Sequence, residues 1–175
     1  YDGLGYVEAL THLAHQTERG DRLALSTMSL EPSEQPVDQL LPALAESARR
    51  GTDVTLLVDS YALLVDSGSR GLGPLLIPYT SRTFAQRLNA LDSLQEAGVT
   101  VALTNEPSHY LSNPFAGRSH IKGAVINDSV FLGGPNLHDV DRIDASMQIT
   151  NPDLADFLYD ILGRIAKSGQ TKQTI

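Results

Sequence analysis

The sequence predicts an α/β domain, a β-sheet with helices packed on it. Stretches with apolar residues at helical spacing alternate with short strand-like runs, glycines close the helices, and two of the runs are continuously apolar, as in buried parallel strands.

Leu4, Val7, Leu10, Leu13 and Ala14 share one helical face, which places an amphipathic helix ending near Gly20. Leu23, Leu25 and Thr27 follow as a strand. Pro36 stands where a helix can begin, and Val37, Leu40, Leu41, Leu44, Ala45 and Ala48 continue an apolar face until Gly51 stops it. Val54 to Val58 then reads as a buried strand. Phe84, Leu88, Leu91 and Leu94 repeat the helical spacing, Gly98 ends it, and Val99 to Leu103 is a further buried strand. Near the C-terminus, Asn151-Pro152 opens a helix through Leu154, Phe157, Leu158, Ile161, Leu162 and Ile165. Residues 168–175 are polar and are expected to fray.

Two irregular stretches interrupt this pattern. One, between Asp59 and Thr80, holds Gly68, Gly71, Gly73, Pro74 and Pro78; the other, Glu106 to Arg118, holds Pro107, Pro114 and Gly117. Long loops in compact domains are often functional, so both are candidate walls of a site. His109, Tyr110 and His138 are loop residues for which packing is as good an account as ligand contact. The three loop glycines form no dinucleotide fingerprint.

A chain of 175 residues with 41% hydrophobic content can bury a core, and residues 1–175 are expected to form one domain. There is no cysteine, which removes disulfides and thiolate metal sites. His12 and His15 have metal-like spacing on the first helix but no accompanying carboxylate cluster, and they read as a solvated face. No apolar run reaches the roughly 20 residues needed to span a bilayer. The N-terminus has no signal-peptide pattern, and the start at Tyr1 suggests a processed form or an excised domain. A net charge of −8 argues against extensive non-specific binding to nucleic acid. Arg49, Arg50, Arg82 and Arg87 read as solvated surface.

The chemistry is concentrated between Arg118 and Asn136. His120 and Lys122 alternate in a stretch read as a strand, so their side chains leave one face of the sheet, with Arg118 on the same face. An imidazole beside an ammonium suits an anionic phosphate: the lysine offers a compact charge, and the imidazole serves as nucleophile or proton carrier. After an Asn127-Asp128-Ser129 turn the chain returns through Val130 to Leu132. It then meets Gly133-Gly134, which would let a ligand approach the backbone, and Asn136, which adds an amide.

This arrangement resembles the HKD motif of the phospholipase D superfamily, His-x-Lys-x4-Asp followed by Gly-Gly or Gly-Ser and x-Asn. His120, Lys122, Gly133, Gly134 and Asn136 fall on motif positions. The motif aspartate is replaced by Asn127, with Asp128 next, and the turn is about one residue shorter than usual. The flanks are similar too. Leu40 to Asp59 resembles the family's helix, Arg-Gly turn and strand, and Leu91 to Asn105 repeats that unit. The Gly-Gly form looks most like the N-terminal half of a bacterial cardiolipin synthase.

The resemblance implies a single phospholipase D-like domain with a mixed, largely parallel β-sheet flanked by helices on both faces. It implies phosphodiester hydrolysis or phosphatidyl transfer through a covalent phosphohistidine on His120. Lys122 and Asn136 would hold the phosphate oxygens, and Asp144 would orient His120; Arg118, by its shared strand face, and Gly133 and Gly134, by their open backbone, are candidate substrate-binding residues on the reading of the residues themselves. Asn127 or Asp128 would shape the hairpin. Neither metal nor cofactor is implied. Family active sites combine two HKD motifs, so a second half, from a longer chain or a homodimer partner, is expected. The substrate would be a phospholipid or another phosphodiester. Membrane association would come through segments outside these residues, and location, whether cytoplasmic or at a membrane face, is left open. The alternatives are a homodimeric HKD nuclease, against which the acidic balance argues, and a non-catalytic phosphate-binding or assembly domain with a degenerate motif.

Overall fold

The computed structural model describes residues 1–59, 82–104, 121–137, 140 and 144–170. The elements in chain order are α1 (Gly3–Gln16), β1 (Arg22–Thr27), α2 (Val37–Arg50), β2 (Asp53–Asp59), α3 (Arg82–Glu96), β3 (Thr100–Thr104), β4 (Gly123–Ile126), β5 (Ser129–Gly133), β6 (Ser146–Thr150) and α4 (Pro152–Gln170). The six strands form a mixed sheet in the order β3-β2-β1-β4-β5-β6. β1, β2 and β3 are parallel neighbours, whereas β4, β5 and β6 join antiparallel from the β1 side. β1 is therefore central, which explains why it is buried on both faces and not only at Leu23 and Leu25.

The strands β1 to β5 send side chains into two apolar layers, one on each face of the sheet. Leu25, Leu56, Val101, Ala124 and Phe131 face a core built with Tyr6, Val7 and Leu10 of α1, Leu40 and Leu44 of α2, and Leu91 and Leu94 of α3. On the other face Ala24, Leu57 and Ala102 pack under Leu162 and Ala166 of α4, and Val125 and Val130 under Ala155. Helices thus cover both faces, as the sequence predicts.

The helix ends follow from local chemistry. Asp2 caps α1, its carboxylate accepting the Gly5 N–H at 2.8 Å. α1 stops at Gln16, four residues before Gly20, because Thr17 and α2 take over its last carbonyls. The Ser47 hydroxyl and the Arg50 guanidinium both donate to the Ala14 carbonyl, at 2.6 and 2.7 Å. Arg50 is exposed, as read from sequence, and its guanidinium also clasps the end of α1. Gly51 and Gly98, at φ +97° and +96°, provide the left-handed stops after α2 and α3. α4 runs three residues past Lys167, into the segment expected to fray.

α4 is fastened to the strand ends most distant from the hairpin glycines. Tyr159 donates to the Asp53 carboxylate at 2.8 Å, Arg22 lies over the Tyr159 ring at 5.2 Å, and Arg22 also pairs with Asp156.

Candidate active site

The sequence stretch singled out for chemistry folds as a hairpin. Gly123, Ala124, Val125 and Ile126 of β4 face Leu132, Phe131, Val130 and Ser129 of β5, leaving Asn127 and Asp128 as the turn. Asn127 has φ +51°, a conformation that asparagine tolerates better than most side chains. Its side-chain oxygen accepts the Arg22 N–H at 3.2 Å, tying the turn to β1. The Asp128 carbonyl accepts the Asn151 N–H at 2.9 Å, and Asn151 in turn caps α4 through Leu154. With the four residues of β4 between them, the turn lies about 16 Å from Lys122. Asn127 and Asp128 are therefore remote from Lys122 and Asn136, and their contacts are those of hairpin and helix shape.

Lys122 sits at the other end of the hairpin. Lys122, read from sequence as lying within a strand, instead precedes β4, which begins at Gly123, where Ser26 of β1 and Leu132 of β5 are the last residues paired. β5 loses its β4 partner after Leu132 and stays paired to Ser146 of β6 at Gly133, where φ is +79°. Lys122, half-buried, follows Ile121, whose carbonyl accepts the Ser26 hydroxyl at 2.9 Å. His120 and Arg118, together with His109, Tyr110 and His138, lie outside the described residues, as do most of both long loops.

The two glycines after β5 have structural reasons of their own. A Cβ on Gly133 would stand 2.9 Å from the Ala145 carbonyl oxygen, and one on Gly134 would stand 3.0 Å from two ring carbons of Tyr6. Gly134 has φ +108° and is buried. Tyr6, held edge-on against Phe131 at 5.9 Å, thus packs where a side chain at 134 would stand.

Asn136 is half-buried, and its amide oxygen is buried with no hydrogen-bond partner among the described residues. The chain beside it is pinned to the segment following β1. Leu137 N–H donates to the Ser29 carbonyl at 3.1 Å, and Glu31 N–H donates to the Leu137 carbonyl at 2.7 Å. Asp144 precedes β6, where its carboxylate accepts the Ala145 N–H at 3.0 Å. Lys122, Gly133, Gly134, Asn136 and Asp144 therefore gather at one end of the sheet, next to the C-terminal end of β1. Open α/β sheets bind ligands outside the carboxyl ends of their parallel strands. Among the described residues no cluster of three or more histidines and carboxylates could hold a metal ion.

Three residues at this end escaped sequence reading. Ser26 and Tyr6 gave no signal beyond apolar patterning. Arg87, read as solvated, is 2% exposed and pairs with Glu31. Its position did carry a signal, because it lies three residues from Phe84 and four from Leu91, on the apolar face of α3.

No protein-family model matches the sequence, and no curated protein matches it. Solved structures do match. A phospholipase D family member, Nuc from Salmonella typhimurium, is 16% identical with a TM-score of 0.58, the match covering 93% of this chain and 87% of that one. The chain shares its fold with a phospholipase D family member. NucT from Helicobacter pylori is 15% identical over 94% of this chain and 89% of its own, with a TM-score of 0.61. Phosphatidylserine synthase from Haemophilus influenzae is 17% identical, with a TM-score of 0.63; 92% of this chain covers 35% of that one. At these identities the likeness is one of fold.

Proposed function

We propose that the chain is a phospholipase D-like HKD domain, spanning 1–175, that supplies one half of a phosphodiesterase or phosphatidyltransferase site. The observation that carries the reading is the hairpin. Its β4 end presents Lys122 and its β5 end leads into Asn136, so an ammonium and an amide of the kinds that suit a phosphate stand at one sheet end, in a fold shared with a phospholipase D family member.

In this reading an imidazole nitrogen of His120 attacks phosphorus, and the bond from phosphorus to the leaving oxygen breaks. A histidine of the second motif gives its proton to that oxygen. Lys122 and the Asn136 amide hold the non-bridging oxygens as charge builds on them. Water or an alcohol then gives up a proton to the second histidine and attacks phosphorus, breaking the phosphorus–nitrogen bond. Asp144 orients His120 and Arg118 adds charge to the substrate side. The second motif comes from a partner half or a second copy. The net charge of −8 favours a lipid or small phosphodiester over nucleic acid.

The test is turnover of a chromogenic phosphodiester and trapping of the acid-labile adduct. The wild-type protein should release the chromophore and carry phosphorus on His120, and His120→Ala should do neither. Lys122→Met should retain the fold and lose about 100-fold or more in kcat. A folded wild-type protein giving neither turnover nor adduct, alone or in its full-length form, would overturn the reading. Phosphatidylglycerol, phosphatidylcholine and DNA compared as substrates would separate lipid from nucleic-acid chemistry.

A further inference from the structure

We propose that the buried ion pair between Glu31 and Arg87 is a positioning device for Asn136. Arg87 Nη2 lies 3.1 Å from Glu31 Oε2, with side-chain exposures of 3% and 15%. The other carboxylate oxygen accepts the Ser33 hydroxyl at 2.9 Å, so both oxygens of Glu31 are held. The backbone of the same residue reaches the site: Glu31 N–H donates to the Leu137 carbonyl, and Leu137 N–H returns to Ser29. Leu30 and Leu137, each 1% exposed, form this isolated parallel bridge. Three residues further along the loop, Glu34 accepts the Val140 N–H at 3.1 Å. The segment after Asn136 is therefore gripped at Leu137 and again at Val140 by one short stretch of chain, and α3 anchors that stretch through Arg87.

Stability alone does not account for this arrangement. A guanidinium and a carboxylate taken out of water are often no better for stability than apolar side chains of the same volume. Their contact does supply register: a guanidinium nitrogen held against one oxygen of a carboxylate whose other oxygen accepts the Ser33 hydroxyl restricts sliding. Slack at Glu31 would pass through one hydrogen bond to Leu137 and so to its neighbour Asn136. Small displacements of a group that stabilises charge in a transition state reduce kcat more than they weaken ground-state binding. Glu31 and Arg87 are thus positioning residues. The kinetic part of this inference rests on the reading of Asn136 given above; the structural part does not.

The test compares wild type, Glu31→Gln, Arg87→Met and the double variant of the whole chain. Amide hydrogen exchange at Glu31 and Leu137 should accelerate about 10-fold or more in each single variant, while β1 and β2 amides keep their protection. With the chromogenic phosphodiester, kcat should fall about 10-fold or more with KM within about twofold, and the double variant should be no worse than either single one. Unchanged exchange at Leu137 in the folded variants would overturn the inference, as would exchange that rises equally across the whole sheet. If Arg87→Met does not fold, Glu31→Gln, which keeps shape and polarity, decides by the same measurements. A wild-type protein without turnover removes the reading of the site, and the exchange data then decide the clamp by themselves.

Discussion

Gly134 shows how a residue can be marked by sequence while its reason stays hidden. A glycine pair after a strand signals an unusual backbone, and the φ of +108° at Gly134 is a conformation that side chains rarely adopt. What the pair makes room for is not legible, because the occupant, Tyr6, lies 128 positions earlier in the chain. A methyl group at 134 would meet the Tyr6 ring at 3.0 Å, and Phe131 packs edge-on against that ring, limiting its retreat. Gly134→Ala should therefore destabilise by about 1–3 kcal/mol, from backbone strain and overpacking together. Urea unfolding measures this. Tyr6→Leu in the Gly134→Ala background should recover the packing part and leave the strain. A Gly134→Ala protein as stable as wild type would show that neither the ring nor the backbone constrains the site loop. Asn127 presents the opposite case: sequence reading asked whether it could serve where an aspartate is usual, and its left-handed φ together with the bond to Arg22 N–H give it a shaping role that needs no charge.

At the scale of elements, legibility followed locality. Gly51 and Gly98 end helices through contacts within a few residues of themselves, and the apolar runs of β2 and β3 reflect burial on both faces, so both were readable. The early end of α1 was not, because it depends on Ser47 and Arg50 of another helix. α4 has the same character, since its fastening to the sheet runs through Tyr159, Asp53, Arg22 and Asp156, which come from three elements. That fastening predicts a pH dependence. Burial, and then Asp53, push the Tyr159 phenol above its ordinary value of 10.0, with Arg22 opposing weakly. Above 10.0 the unfolded chain loses this proton while the folded chain keeps it, so the unfolded state binds fewer protons and stability falls as pH rises. Below that value the contribution is fully present. Tyr159→Phe should cost about 0.5–1.5 kcal/mol near neutral pH, from the lost hydrogen bond. It should also flatten the alkaline limb of stability above about pH 10, leaving the share due to buried Tyr6, whose phenol is raised in the same direction. Unfolding in urea at several pH values checks both. Equal slopes for the two proteins would mean that Tyr159 does not hold α4 through a protonated phenol.

For the whole molecule, periodicity shows which face of a strand is buried but not which strand lies beside it. The insertion of β4 next to β1, opposite β2, was therefore invisible in the pattern, and it is this insertion that carries Lys122 and the approach to Asn136 to the carboxyl end of a central strand. The same geometry bears on how much of a site one copy can contain. The described residues place Lys122 just before β4 and Asn136 just after β5, and the proposed mechanism needs a second proton carrier beside His120. If a second copy supplies it, specific activity should depend on concentration. It should fall in proportion to the chain concentration below the dimer dissociation constant and become constant well above it, across a series from about 0.1 to about 100 µM. Sedimentation equilibrium over the same range should give a midpoint that coincides with the kinetic one. A partner half from a longer chain predicts otherwise: an inactive monomer at every concentration, activated only when that half is present. Constant specific activity from a sedimenting monomer would contradict both and would require a complete site within one copy.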